Sequence, residues 1–332
     1  MWNKTGNLSI FAILVVSTLW VDYSSAFVHN VARQSMIVKN VKFTSPSFSQ
    51  TSSGHTSNHA QILPVSRHNS HQPWNQLVRH ERSSLLFMAE SDDNNNSKKS
   101  DDPFAFSLPT SIALVGGQSS LILISVIIAT VLKMPNFGLG ESFVLNGAAI
   151  QSGVLATLPL FSIAFVLDLM EDKVPALQNV SKATQRSVLA LMGGKRNFGI
   201  AFLVSCALGI AAGVGEEMLF RGLLQTKLLQ LPVFSSFGWV PVTITSLIFG
   251  ALHAITPLYA IIATIASFYF GYLYLWTAVD SMTQLNLAIP IICHTLYDVG
   301  ALLWAHYEVT KMSLEEQINL SEWVPPTDES SD

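Results

Sequence analysis

Charge is what this sequence has least of. Only 12% of its 332 residues are Asp, Glu, Lys or Arg, about half of the ~25% usual in soluble domains. Hydrophobic residues make up 49%, and the mean hydropathy is +0.40. That balance makes lipid the solvent for much of the chain. The net charge of -4 comes with no basic stripe interleaved with aromatics, which leaves no footprint for nucleic acid. Cysteine is nearly absent. Cys206 and Cys293 sit far apart in apolar runs, without CxxC or zinc-ribbon spacing. They are expected to pack as small hydrophobes, and they say nothing about redox compartment. There is no HExxH motif, no internal repeat, and no alternating pattern of the kind a membrane β-barrel needs.

Acidic residues are also missing locally. Between Phe27 and His80 there is no Asp or Glu, while Arg33, Lys39, Lys42, Arg67 and Arg79, many Ser and Thr, and six of the nine histidines fall there. A Ser-rich, basic, acid-poor stretch has the composition of a plastid transit peptide. Before it, the apolar run Ile10–Val21 follows Lys4 and ends at Ser24-Ser25-Ala26. The run is short for a membrane span, and small residues stand where signal peptidase needs them. A signal peptide (1–26) joined to a transit segment (27–88) resembles the bipartite presequence of algae with secondary plastids. The expected destination is therefore a plastid membrane, thylakoid or envelope, reached through the secretory route. Residues 89–108 are polar, with an acidic Asn-rich start, and read as a disordered tether. The histidines of this region look compositional.

From Pro103 onward, long apolar runs alternate with short polar breaks. Spans are expected at Ile112–Leu132, Val144–Leu167, Phe198–Ala212 (continuing as a helix through Leu229), Val240–Ile255, Tyr259–Ala278 and Leu287–Ala305, since about twenty apolar residues cross the hydrocarbon. Ala176–Leu191 mixes apolar residues with Lys182, Gln185 and Arg186 and is expected to lie at the interface. The aromatic run Phe268, Tyr269, Phe270, Tyr272, Tyr274 and Trp276 is expected to face lipid or the interface, with a lipid groove as the other reading. The tail from 308 to 332 is polar and expected to be loose. The fold class is all-α, a polytopic bundle of about six to eight helices over 109–307, because only satisfied helical backbone crosses a bilayer in this composition.

Ionisable residues inside such spans each cost at least ~2.5–3.5 kcal/mol on insertion scales, so they are functional suspects by default. Three clusters stand out. Glu216-Glu217-Met218-Leu219-Phe220-Arg221 places Glu217 and Arg221 four apart, on one helix face. Glu216 points about 100° away, free to face a cavity. Gly213, Gly215 and Gly222 allow neighbouring helices to approach. Phe249-Gly250-Ala251-Leu252-His253 carries a histidine in the fourth apolar run. His294-Thr295-Leu296-Tyr297-Asp298 places a histidine and an acid four apart. Taken singly, each cluster reads as readily as a structural ion pair, a hydrogen-bonded core histidine or an interhelical clamp. Together, on three separate spans, they point to a site.

Glu-Glu-x-x-x-Arg (216–221), Phe-x-x-x-His (249–253) and His-x-x-x-Asp (294–298), in this order, resemble the CPBP family of intramembrane proteases. That family includes the type II CAAX prenyl endopeptidases and bacteriocin-immunity relatives. The resemblance covers roughly Phe198–His306. It implies eight or so helices around a water-filled cavity, with Glu216 and His253 activating water on a membrane protein substrate. It implies His294 and the residue at 298 as the oxyanion site, with Glu217 and Arg221 in support. Asp298 departs from the Asn of many members. An ionised Asp cannot donate to an oxyanion, so Asp298 must be protonated or must orient His294. No obligate metal is expected; if zinc were bound, Glu216, His253 and His294 would hold it. A non-proteolytic scaffold for thylakoid or envelope proteins and a transporter using a proton relay stay open as alternatives.

Overall fold

A computed structural model of the chain describes residues 103–141, 143–234, 237–276 and 285–325. The expected signal and transit segments lie outside these residues, as does most of the expected tether. Eight helices and no strand occur among the described residues: α1 (Leu108–Val131), α2 (Gly147–Met170), α3 (Pro175–Met192), α4 (Phe198–Glu217, running on through Met218–Gln225 and Thr226–Leu229), α5 (Trp239–Leu252), α6 (Pro257–Trp276), α7 (Ala288–Val309) and α8 (Leu314–Glu322). This is a helical membrane bundle. Five helices, α1, α2, α4, α6 and α7, are long and apolar enough to cross a bilayer.

Helix starts follow from local chemistry. Side-chain oxygens of Ser107, Asn146 and Asn197 accept from the backbone N–H three residues on, opening α1, α2 and α4. Pro175 opens α3 at a position where its missing N–H costs nothing. Gly193 ends it with φ 80, a conformation that favours glycine.

Burial ranks the helices. Only 17% of the apolar window of α1 and of α2 is buried, against 50% for α4. Helix α4 is therefore the axle of the bundle, and α1 and α2 turn Leu123, Ile127, Phe165 and similar side chains outward. The glycines of α4 explain how other helices reach it. A Cβ on Gly213 would stand 2.9 Å from the Thr295 backbone N, one on Gly215 would meet Leu121 at 2.9 Å, and one on Gly222 would strike the carbonyl of Gly138.

Three expectations need correction. The fourth apolar run is a helix of only 14 residues, too short to count as a span, and it ends at Leu252. His253 is its C-cap (φ -104, ψ 20). The tail is ordered as far as residue 325, because α8 carries a full capping box between Ser313 and Glu316. Leu320 and Gln317 of α8 are buried, and the Gln317 amide donates to the carbonyls of Gly194 and Val309. The aromatic run of α6 divides by face: Phe270 and Tyr274 are buried, while Tyr272 and Trp276 are exposed. Cys293 is buried and Cys206 half-buried, and both are free.

Candidate functional site

Helix α4 changes its winding where the acids sit. From Met218 to Gln225 it follows the wider i→i+5 pattern of a π-helix, and the Thr226 hydroxyl donates to the Arg221 carbonyl at 2.8 Å, reaching back five residues. Such wide turns concentrate at functional sites. Every residue from Gly215 to Gln225 is buried.

The two adjacent acids have different surroundings, as helical geometry requires. Glu217 Oε1 accepts from Arg221 Nη1 at 3.0 Å and from His294 Nδ1 at 2.9 Å. Arg221 Nη2 donates to the Ser267 carbonyl and hydroxyl oxygens, both at 2.8 Å. Glu216 turns the other way. Its Oε2 stands 3.8 Å from His253 Nε2 and 3.9 Å from His294 Nε2. Asp298 Oδ2 lies 3.5 Å from His294 Nε2. The expected residues on α4, at the end of α5 and on α7 thus form one cluster. Its opening is at His253 and Asp298, whose side chains keep 21% and 28% exposure, against 3% for Glu216.

Hydrogen-bond partners assign the protons. His253 Nδ1 lies 2.7 Å from the Phe249 carbonyl, which only accepts, so Nδ1 carries hydrogen and Nε2 is presented to Glu216. His294 Nδ1 donates to the Arg221-paired carboxylate of Glu217, so its Nε2 is presented to Glu216 and Asp298. The carboxylate that orients His294 is therefore Glu217 and not Asp298. An imidazole between a fixed acceptor and a working face is the arrangement by which a carboxylate or carbonyl sets a catalytic tautomer.

Aromatic rings hold both imidazoles in plane. Phe249 stacks on His253 with centroids 4.1 Å apart, and Phe270 stacks on His294 at 4.6 Å. The Arg221 guanidinium lies over both rings, 5.3 Å from Phe249 and 5.5 Å from Phe270. Sequence reasoning missed Ser267 and assigned Phe270 to the lipid or interfacial side. The available signal was the spacing of Ser267 and Gly271, two small residues one turn apart in an aromatic run.

Three tetrahedral zinc ligands at bonds of ~2.0–2.1 Å stand roughly 3.3 Å apart. The Glu216 oxygen is 3.8 and 3.9 Å from the two imidazole nitrogens, and no group of three or more His, Cys, Asp or Glu among the described residues is disposed to hold a metal. The three groups as arranged stand wider apart than zinc holds its ligands. A separate apolar cavity of about 380 Å³ is lined by Val126, Val214, Met218, Ile291 and other apolar side chains. Val214 and Met218 are each two residues from Glu216, on the opposite side of α4, so this cavity is not the acid-histidine cluster.

Residues 198–300 match the family model described as Type II CAAX prenyl endopeptidase Rce1-like. The match takes in all three motifs, from the start of α4 to the middle of α7. Over these residues the chain is similar to a family of membrane proteases. No curated protein and no solved structure gives a match.

Proposed function

We propose that this chain is an intramembrane endopeptidase that hydrolyses a peptide bond of a membrane-associated protein. One observation carries the reading. The Glu216 carboxylate faces the Nε2 atoms of His253 and His294 at 3.8 and 3.9 Å, while each ring's Nδ1–H is committed elsewhere. A carboxylate and an imidazole acceptor then converge on one spot reachable from the opening, where a water can sit and lose a proton.

Water bound between Glu216 and His253 attacks the scissile carbonyl as Glu216 takes its proton. The carbonyl oxygen becomes an oxyanion on the side of His294 and Asp298. In its imidazolium form His294 has a donor for each neighbour: Nδ1–H for Glu217 and Nε2–H for the oxyanion. A protonated Asp298 is a second donor, which is how an Asp serves where many members carry Asn. Collapse of the intermediate breaks the C–N bond, and Glu216 returns its proton to the leaving amine. Glu217 and Arg221 touch neither water nor substrate; they hold His294.

The substrate is a protein of the same membrane. Residues 1–88 are proposed to deliver the chain to a plastid membrane, which makes thylakoid or envelope proteins better candidates than prenylated cytosolic ones. A fluorescent protein fused behind residues 1–88 tests delivery: it accumulates in plastids if the reading holds, and it stays in the endoplasmic reticulum or is secreted if the leader is only a signal peptide.

The test of proteolysis is a quantitative comparison of new N-termini among membrane proteins, in cells carrying the wild type or Glu216→Gln at equal abundance. The swap is nearly isosteric and removes the base. A defined set of N-termini is expected to vanish. If both sets agree while loss of the whole chain still has a phenotype, the protein is a scaffold.

A further inference from the structure

Helices α4 and α6 run parallel and are joined by side chains at a constant offset. Arg221 reaches Ser267, and Gln225 donates to the Gly271 carbonyl at 3.2 Å, each pair 46 residues apart. Thr226 and Tyr274 add a hydroxyl pair at 3.2 Å just beyond. Arg221, Gln225 and Ser267 are all fully buried. None of these contacts includes the reacting groups, yet the first rung leads to them through one continuous series of hydrogen bonds: Ser267 to Arg221, Arg221 to Glu217, Glu217 to His294.

The weight on Ser267 comes from what Arg221 lacks. Its Nε has no hydrogen-bond partner among the described residues, and neither has Glu217 Oε2. The guanidinium is therefore set by Nη1 on Glu217 and by Nη2 on the two oxygens of Ser267. A guanidinium is a rigid fork. Fixing Nη2 fixes the direction of Nη1, and with it the placement of Glu217 Oε1, the oxygen that also accepts from His294 Nδ1. The rings of Phe249 and Phe270 over Arg221 constrain its plane, not its rotation within that plane.

We propose that Ser267 is a positioning residue for the proteolytic site, holding Arg221 so that Glu217 keeps a hydrogen on His294 Nδ1 and turns Nε2 toward the substrate. Gln225 and Gly271 set the register of that contact. A Cβ on Gly271 would come within 3.1 Å of Gln225 Oε1 and 2.8 Å of Val242 Cγ1, so any larger residue there pushes Val242 or Gln225 aside. The proposal deepens the protease reading and rests on it for its effect on cleavage. Its effect on His294 does not depend on that reading.

The experiment uses the full chain in lipid nanodiscs with ring-¹⁵N histidine. The His294 signals are assigned by their loss in His294→Gln. Wild type is expected to show His294 protonated at Nδ1. In Ser267→Ala the Nδ1–H signal should fall at least twofold or broaden by exchange, whether or not Nε2 also carries hydrogen. Ser267→Thr, which keeps both acceptors, should restore the wild-type spectrum. If Ser267→Ala does not fold, Ser267→Cys, similar in size but a weak acceptor, is read in the same way. A His294 spectrum unchanged in the folded variant overturns the proposal, even if the melting temperature drops, because that is what a purely structural serine would give.

Cleavage is followed in parallel on the N-termini that Glu216→Gln abolishes. Their rate of formation should fall about tenfold in Ser267→Ala and recover in Ser267→Thr. An unchanged rate overturns the proposal. If Glu216→Gln abolishes none, the protease reading fails, and the His294 spectrum still decides the positioning role.

Discussion

Replacing Glu217 with Gln separates the two adjacent acids sharply. Glu217 is fully buried and is the only carboxylate in contact with Arg221 among the described residues. Gln keeps the shape and one acceptor oxygen but removes the charge. Arg221, also fully buried, is then a cation with no counter-charge at hydrogen-bond distance. Breaking a buried ion pair from one side costs about 3–5 kcal/mol. That is a large share of the ~5–15 kcal/mol by which folded proteins are stable. At roughly 2–4 °C per kcal/mol for a domain of this size, the melting temperature in nanodiscs should fall by about 6–20 °C. Glu216→Gln is the control. Glu216 makes no contact shorter than 3.8 Å with a basic group, so its loss should change melting by no more than a few degrees while abolishing cleavage. Thermal unfolding of both variants, followed by intrinsic tryptophan emission at equal protein and lipid, is the assay. If Glu217→Gln melts like the wild type, or if Glu216→Gln is the more destabilised, the division of labour between the acids is wrong.

Three other outcomes follow from the same geometry. Prolonged dialysis against a chelator should leave cleavage unchanged, since the Glu216–His spacings are wide for zinc; a loss restored by added zinc would refute that. Phe270→Leu removes the ring stacked on His294 and one of the faces under Arg221, so cleavage should slow about tenfold, as expected from an aromatic contact of ~0.5–1.5 kcal/mol plus a misaligned imidazole; an unchanged rate would show that the stack is packing only. The hydrogen bonds from Ser313 hold the Glu316 carboxylate below the usual carboxylate range. A depressed value means that the stabilisation is present above the ordinary pKa near ~4.3 and is lost as pH falls through the lower, folded value. Protection of the amides over Leu314–Glu322, relative to their intrinsic exchange rates, should therefore fall at acid pH in the wild type and already be low at neutral pH in Ser313→Ala; equal protection in both would remove the capping box from the account.

Much of the site was legible because helix periodicity is local. Four-residue spacing puts Glu217 with Arg221 whatever else the chain does, and the intervening 100° sends Glu216 elsewhere. Both hold in the structure. The apolar runs marked the helices for the same reason, and the glycines of α4 announced close neighbours. The end of α5 was not legible: the apolar run continues past Leu252, but the chain turns there and Pro257 begins the next helix. Nor was the order of the tail, since a capping box needs something to dock on, and the partners of Gln317 lie at Gly194 and Val309.

The amino-acid sequence alone determined the class of protein, the membrane helices and the set of charged side chains that those helices must desolvate. Each of these depends on composition and on spacing along one helix. Tertiary structure decided the pairing. His294 has Asp298 four residues away on its own helix, yet its Nδ1 is held by Glu217, 77 residues distant, and Asp298 takes the other side of the ring. Arg221 is completed by Ser267 on α6, and each imidazole lies flat on a phenylalanine. Which partner a side chain takes across a helix interface depends on the rotation and axial offset of two helices, and those are set by the packing of the whole bundle.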